Sequence, residues 1–132
     1  STNRSPLIRI PASRGASTRI ELRCPDPSAN PYLALAVCLR AGLDGIINQI
    51  EPPASVDTNI FAMSEEEKKK LGIEAIPGTL IEAVNELEKD EFIRDVLGRH
   101  VSTKYIEAKR KEWANYASQV TDWEVNQYLN QY

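Results

Sequence analysis

The sequence has few of the residues from which metal and redox sites are usually built. Its one histidine, His100, cannot form a site made of several histidines, and Cys24 and Cys38 are too far apart for a CxxC pair. Two such cysteines, with no apolar leader in the sequence, indicate free thiols in a reducing compartment. The most apolar run, residues 32–39, is about half as long as a membrane-spanning helix. We therefore expect a cytoplasmic protein that does not cross a membrane.

Methionine and lysine are each missing from long stretches. Met63 is the only methionine, so we expect the chain to be a portion of a longer protein. The first lysine is Lys68. Residues 1–23 instead carry five arginines and a single acid, Glu21, so their net charge is +4 and that of the remaining residues is −7. This basic stretch is the clearest indication of function in the sequence.

Two strands are predicted in the basic stretch. Residues 7–11 (LIRIP) and 17–23 (STRIELR) alternate with period two, and Gly15 between them suits the turn of a β-hairpin. In the second strand, Arg19, Glu21 and Arg23 fall on one face. Because two strands alone are marginal in water, the hairpin is expected to belong to a larger sheet.

The remaining residues are predicted to be mostly helical. Asn30 and Pro31 are typical of a helix start, and the helix over 31–47 is apolar nearly all round, so we expect it to be buried. Further helices are predicted to begin at two capping boxes, Ser64–Glu67 and Thr79–Glu82. Others are predicted to begin near Asp90, near Thr103 and at a cap that is either Thr121 or Asp122. The predicted fold class is α+β, with a β-hairpin (1–24) followed by a mostly helical region (25–132).

The arginines of the hairpin point to anion recognition. They are Arg4, Arg9, Arg14, Arg19 and Arg23. A guanidinium group bridges two oxygens and stays charged at any working pH, which suits phosphates and carboxylates. Glu21 is open to two interpretations, because it can pair with its arginine neighbours or supply a hard oxygen ligand to Mg²⁺ or Mn²⁺. Because one carboxylate cannot neutralise five guanidinium groups, ion pairing with Glu21 does not account for all five arginines.

Longer motifs identify a family. The segments NRSPLIRIP, TRIELRCPDPSANPYLALAVCLRAGLDGI, TLIEAVNELEKDEFIRDVLG, YIEAKRKEW and WEVNQYLNQY closely resemble the C-terminal part of bacterial type I glutamine synthetase. The resemblance runs essentially from Asn3 to Tyr132. It implies an ATP-dependent ligase that joins L-glutamate and ammonia through γ-glutamyl phosphate, with two divalent metal ions, Mg²⁺ or Mn²⁺.

The resemblance also implies roles for the arginines. Arg4, in the NRS motif, is expected to contact the transferring phosphoryl group, and Arg9, in IRIP, to hold the ATP phosphates. Arg19 is expected beside the nucleotide. Arg14 lies in a turn that differs across the family, and its nucleotide contact is a hypothesis.

The other expected ligands are glutamate and metal. Arg23, and with it Arg4, is expected to bind substrate glutamate or its phosphorylated form. Glu21 matches the acid that ligates the metal nearer the nucleotide phosphates, so the resemblance favours the metal role over the ion-pair role.

Assembly and regulation are implied in the same way. The family forms two stacked hexameric rings, and residues 123–132 are expected to contact the opposite ring. Phe61 stands where some members carry a tyrosine that is adenylylated, which indicates regulation by feedback inhibition and partner proteins.

The isolated chain is expected to be inactive. The alternative is a catalytically inactive homologue that binds nucleotide or a regulator; nucleic-acid binding is disfavoured because no aromatics interleave the arginines.

Overall fold

The structure, a computed structural model, describes residues 5–129. The chain divides into two compact units, Ser1–Ala75 and Ile76–Tyr132. Within the described residues, the first unit holds a two-stranded sheet and two α-helices, and the second holds four α-helices. The predicted fold class, α+β with a hairpin before a mostly helical region, is confirmed.

The hairpin consists of β1 (Ile8–Arg9) and β2 (Glu21–Leu22), which pair antiparallel. A further backbone hydrogen bond from the Arg23 N–H to the Leu7 carbonyl, at 2.9 Å, extends the pairing by one step. Between the strands, Gly15 adopts a φ of +69°, a conformation that glycine reaches without a Cβ clash, and opens a short 3₁₀ turn. The predicted hairpin and its turn are therefore present, with regular strands shorter than the alternation predicts.

The first helix, α1 (Pro31–Ile47), begins as predicted. The Asn30 side chain accepts hydrogen bonds from the backbone N–H groups of Tyr32 and Leu33, and proline occupies the first helical position. The prediction that this helix is buried is wrong in this chain, because none of its residues is buried and Leu35 is 70% exposed. Burial depends on a packing partner, and no described strand or other helix packs extensively on α1.

The segment after α1 returns to the hairpin. A 3₁₀ turn over Ile60–Ala62 is capped by the Asn59 side chain, and the Ile60 N–H donates to the Ser5 hydroxyl at 3.2 Å. The helix α2 (Glu65–Lys70) then begins at the predicted capping box, in which Ser64 and Glu67 exchange hydrogen bonds. The first unit is thus organised by local caps and by one long-range hydrogen bond from the loop to Ser5.

The second unit contains three packed helices, α3 (Leu80–Lys89), α4 (Glu91–Leu97) and α5 (Arg99–Ala117). Val84 of α3 is 3% exposed, and Ile106 of α5 is 9% exposed. The buried Ser102 hydroxyl donates to the Gly98 carbonyl, so its polar group is satisfied inside the helix. A small apolar core therefore holds these helices together.

Of two helix starts in this unit, one differs from the prediction and one agrees with it. The long helix α5 begins at Arg99 rather than near the predicted Thr103, because Gly98, with a φ of +75°, both ends α4 and precedes α5. Of the two predicted caps, Thr121 and Asp122, the structure has Thr121: it starts α6 (Asp122–Glu124), which continues into a π-helical turn over Val125–Leu129.

Among the described helices, none combines the length and the apolar character that crossing a bilayer requires.

Candidate anion-binding site

Glu21 lies between two arginines of the hairpin. Arg9 donates from Nη1 to Oε2 of Glu21 at 2.9 Å. Arg19 donates to the other oxygen, Oε1, from Nη2 at 2.7 Å and from Nε at 3.1 Å. Each carboxylate oxygen therefore has its own guanidinium partner.

Strand geometry explains why these three residues meet. Arg9 and Glu21 are directly opposite each other in the antiparallel register, so their side chains share one face of the hairpin. Arg19 precedes Glu21 by two positions, and side chains two apart on an extended chain point to the same face. The sequence alternation thus converts three separated charges into one cluster, which we call the Arg9–Glu21–Arg19 cluster.

The arginines keep Glu21 ionised. The hydrogen bond from Arg19 lowers the pKa of the Glu21 carboxyl most, and the positive charges of Arg9 and Arg19 lower it further. Partial desolvation acts in the opposite direction but does not outweigh them. Because two guanidinium groups face one carboxylate, the cluster retains one uncompensated positive charge, which favours an anionic ligand.

Arg14 lies in the turn rather than in the cluster. Its Nη1 donates to the carbonyl oxygens of Pro11 at 2.7 Å and Ser13 at 3.0 Å. These carbonyls belong to the loop that leads into the 3₁₀ turn, so the loop backbone fixes the orientation of this guanidinium. The described contacts of Arg14 are therefore structural, and they do not join it to Glu21.

The structure describes one of the two remaining arginines. Arg23 extends the hairpin pairing through its backbone, and strand alternation places it on the face that carries Glu21. Arg4, expected to act on the transferring phosphoryl group, lies outside the described residues.

The acidic residues set a limit on metal binding. A carboxylate such as that of Glu21 fits Mg²⁺ or Mn²⁺ as one oxygen ligand. In residues 5–129, however, no three histidine, cysteine or acidic side chains group closely enough to hold a metal ion. Glu21 can therefore supply one ligand of a metal site, and the other ligands must come from elsewhere.

The pairing of Arg9 with Glu21 was missed by the sequence interpretation, which considered only the neighbours of Glu21 on its own strand. A signal for it exists, because Gly15 lies midway between positions 9 and 21. A hairpin that turns at Gly15 brings these two positions opposite each other. The hydrogen bond between Ser5 and Ile60 had no comparable signal, since 55 residues separate its partners.

Two guanidinium groups around one carboxylate give this face of the hairpin donors that suit an anion. The family model described as "Glutamine synthetase, catalytic domain" matches residues 1–128, so the chain belongs to the glutamine synthetase family. The predicted resemblance is confirmed.

Several relatives match nearly the whole chain. Glutamine synthetase of Clostridium saccharobutylicum is 55% identical over 130 residues, which are 98% of this chain and 29% of that protein. Glutamine synthetase of Thermotoga maritima is 56% identical over 127 residues, which are 96% of this chain and 29% of that protein. This chain therefore spans less than a third of the length of the curated relatives that it matches.

A solved structure is similar to this chain in fold. The structure described as "Apo GmaS without ligand" superposes with a TM-score of 0.80 at 40% identity, over 97% of this chain and 28% of that one. The hairpin and the helices that follow it are therefore similar in arrangement to a segment of that protein.

Proposed function

We propose that this chain supplies the arginine-rich part of a glutamine synthetase active site. The reaction is the ATP-dependent joining of L-glutamate and ammonia. The observation that carries the proposal is the Arg9–Glu21–Arg19 cluster, in which two arginines and one acid of the family's strand motifs lie on one face of the hairpin. Family membership supports this reaction, and the excess positive charge of the cluster fits its anionic substrates.

The first chemical step transfers the γ-phosphoryl group of ATP to a side-chain carboxylate oxygen of glutamate. The bond between that oxygen and phosphorus forms while the bridging bond to the β-phosphate breaks, and ADP leaves. Charge spreads over the phosphoryl oxygens during this transfer, so guanidinium groups that contact them lower the barrier. In the proposal, Arg9 binds the ATP phosphates, Arg19 lies beside the nucleotide, and Arg4 contacts the moving group.

The second step is attack by ammonia on the acyl carbon of γ-glutamyl phosphate. A C–N bond forms, the C–O bond to phosphate breaks, and the nitrogen releases a proton to solvent, which gives glutamine and inorganic phosphate. Arg23, together with Arg4, is proposed to hold glutamate and its phosphorylated form, because a guanidinium fork matches the geometry of a carboxylate. Arg14 is proposed as a further nucleotide contact that the loop carbonyls orient.

Glu21 is proposed as a metal ligand. A bound Mg²⁺ or Mn²⁺ would neutralise charge on the phosphate oxygens. Glu21 suits this role because it is ionised and only partly exposed, with 27% of its side chain accessible. The remaining ligands would come from outside the described residues.

Assembly, location and regulation form a further part of the proposal. We assign the protein to homo-oligomers of two stacked hexameric rings. Trp123 and Tyr128 lie in the segment expected to contact the opposite ring. Their rings stack edge to face at 6.0 Å between centroids, and the two residues are 64% and 56% exposed. The free thiols of Cys24 and Cys38 suit the cytoplasm. Phe61, at 82% exposure, offers no hydroxyl for adenylylation, which supports regulation by feedback inhibitors and partner proteins.

The test uses a full-length synthetase in which residues 1–132 form the matching segment, for example a hybrid with the Clostridium saccharobutylicum enzyme. This protein is called the full-length enzyme below. It is expected to form glutamine from glutamate, ammonia and ATP, whereas the isolated chain is expected to form none. Failure of the full-length enzyme, with the parent synthetase active under the same conditions, would reject the proposal.

A further inference from the structure

A hydrogen bond ties the loop after α1 to the chain that precedes the hairpin. The Ile60 N–H donates to the Ser5 hydroxyl at 3.2 Å, across 55 positions of sequence. Ser5 directly follows Arg4, the residue proposed to contact the moving phosphoryl group. The contact therefore joins a residue adjacent to the proposed chemistry to a turn that is far from it in sequence.

The turn that donates this hydrogen bond is held by its own contacts. The Asn59 side chain accepts from the Phe61 N–H at 3.1 Å, and the Asn59 carbonyl accepts from the Ala62 N–H at 3.1 Å. The Ile60 N–H is the first of this 3₁₀ turn, and the first N–H groups of a helical turn have no carbonyl partner within it. The Ser5 hydroxyl supplies the missing acceptor, so one local and one distant side chain cap the same turn.

The chain that joins Ser5 to the hairpin is short and stiff. Pro6 fixes its own φ angle and disfavours the helical conformation at Ser5. The carbonyl of Leu7, the next residue, accepts from the Arg23 N–H at 2.9 Å, which is part of the hairpin pairing. Pro6 alone thus separates Ser5 from the hairpin, while the turn at Ile60 holds the Ser5 side chain.

We propose that Ser5 is a positioning residue for phosphoryl transfer, with the turn over Ile60–Ala62 as its anchor. A peptide bond joins Ser5 to Arg4, and adjacent Cα atoms lie about 3.8 Å apart, so a contact that fixes Ser5 restricts where the Arg4 guanidinium group reaches. This inference rests on the proposed function and adds to it the contact that keeps Arg4 in place. A misplacement of about 1 Å costs on the order of 100-fold in rate, so the loss of this one hydrogen bond is expected to slow the reaction.

Steady-state kinetics of the full-length enzyme give the first test. Ser5→Ala removes the acceptor and is expected to lower kcat on the order of tenfold. The KM for ATP should stay within about twofold, because an interaction made in the transition state affects kcat and not ground-state binding. Ser5→Thr keeps a hydroxyl group and should recover most of kcat. Ser55→Ala is the matched control, since the Ser55 hydroxyl donates only to the exposed Asp57 of the same loop among the hydrogen bonds described, at 3.3 Å, and its loss should leave kcat unchanged.

A double-mutant cycle separates the positioning of Arg4 from a general loss of structure. The probe is ADP with aluminium fluoride, which mimics the transferring phosphoryl group, and its affinity is measured by calorimetry beside that of ADP alone. Ser5→Ala is expected to weaken binding of this probe on the order of tenfold and to leave binding of ADP alone unchanged. In the Arg4→Ala enzyme, which lacks the group that Ser5 positions, Ser5→Ala should cause no further loss. An equal loss in both backgrounds, or an equal loss for ADP alone, would overturn the proposal.

A second variant keeps the inference testable if Ser5→Ala does not fold. Asn59→Ala leaves Ser5 in place but removes the side chain that holds the Phe61 N–H, so it loosens the turn that anchors Ser5. It is expected to weaken binding of ADP with aluminium fluoride by a smaller factor, and only while Arg4 is present. If Arg4→Ala weakens this binding while Ser5→Ala and Asn59→Ala do not, only this inference fails. If Arg4→Ala behaves as the unaltered enzyme does, the proposed role of Arg4 is rejected together with the inference.

Discussion

Arg9 and Glu21 lie directly opposite each other on the antiparallel strands, with Nη1 of Arg9 at 2.9 Å from Oε2 of Glu21. The side chains of this pair connect the two strands. They add to the few backbone hydrogen bonds that hold the hairpin at this position. It also places a guanidinium group and a carboxylate of the two family motifs within contact of each other. The pair is therefore both a structural link and the centre of the proposed site.

Arg9 is expected to be essential for phosphate binding. Arg9→Ala should lower kcat/KM for ATP in the full-length enzyme on the order of 100-fold, because a donor to the transferring phosphates is lost. Arg9→Lys should lose on the order of tenfold, since lysine keeps the charge but not the planar fork. Initial rates of phosphate release at varied ATP concentration provide the measurement.

Arg99 provides the control for these arginine variants. It is the first residue of α5 and belongs to the other compact unit, so Arg99→Ala removes the same charge without altering a residue of the hairpin. Its kcat/KM for ATP should stay within about twofold of the unaltered enzyme. Equal losses in Arg9→Ala and Arg99→Ala would show that net charge, and not the hairpin site, is responsible.

Arg14 is expected to make a smaller contribution than Arg9. Its guanidinium group is held by the carbonyl oxygens of Pro11 and Ser13 and is exposed, so Arg14→Ala should raise the KM for ATP only about two- to fivefold. Ser13→Ala is the matched control, because it leaves the accepting carbonyl in place and should leave KM unchanged. An unchanged KM in Arg14→Ala would restrict Arg14 to its structural role in the turn.

The small core of the second unit predicts a stability effect. Ile106→Ala should lower the free energy of unfolding by about 2–5 kcal/mol, because it removes buried methyl groups and leaves a cavity between α5 and its neighbours. Val120→Ala is the control: Val120 is 77% exposed, and its change should stay within about 0.5 kcal/mol. Urea unfolding followed by circular dichroism measures both. Equal effects of the two substitutions would contradict the described core.

The capping box of α2 predicts a pH dependence. The backbone N–H of Ser64 donates to the Glu67 carboxylate at 2.7 Å, and this bond, followed by that from the Ser64 hydroxyl, lowers the pKa of Glu67. A carboxyl group whose pKa is lower in the folded state than in the unfolded state stabilises the fold. This contribution is fully present above the unfolded pKa, about 4.3, and it is lost as the pH falls through the folded pKa. The start of α2 should therefore fray as the pH falls below the unfolded pKa of about 4.3 and through the lower folded pKa.

Carbon chemical shifts of Ser64–Lys70 during an acid titration measure this fraying. Glu67→Gln keeps an oxygen acceptor without a titrating charge at this position, so the Ser64 shifts should change much less over the same pH range than in the unaltered protein. An identical acid transition in Glu67→Gln would show that another group causes it.

Local features of the fold were predictable from short stretches of sequence. The Asn30 cap, the capping boxes that begin at Ser64 and Thr79, and the turn at Gly15 each depend on residues within a few positions of one another. Side chains at these positions satisfy backbone groups that a helix end leaves unpaired, so residue type and spacing suffice. The start of α5 was missed because Gly98 precedes it without any side-chain cap.

Burial and cross-strand contacts were less predictable. The composition of α1 indicates a buried helix, yet residues such as Leu35 and Leu39 are mostly exposed, because a packing partner cannot be read from the helix itself. For Glu21, spacing alone favoured pairing with its arginine neighbours, and the contact with Arg19 is present in the structure. Its metal role depends on ligands that no local pattern reveals, and it stays a prediction.

Glutamine formation by the full-length enzyme tests the central proposal most directly. Glutamate, ammonia, ATP and Mg²⁺ are supplied, and glutamine and ADP are quantified for the unaltered enzyme, for Arg9→Ala and for the isolated chain. The account predicts stoichiometric glutamine and ADP from the unaltered enzyme, strongly reduced product from Arg9→Ala and none from the isolated chain. Glutamine formation that Arg9→Ala leaves unchanged, or turnover by the isolated chain, would contradict it.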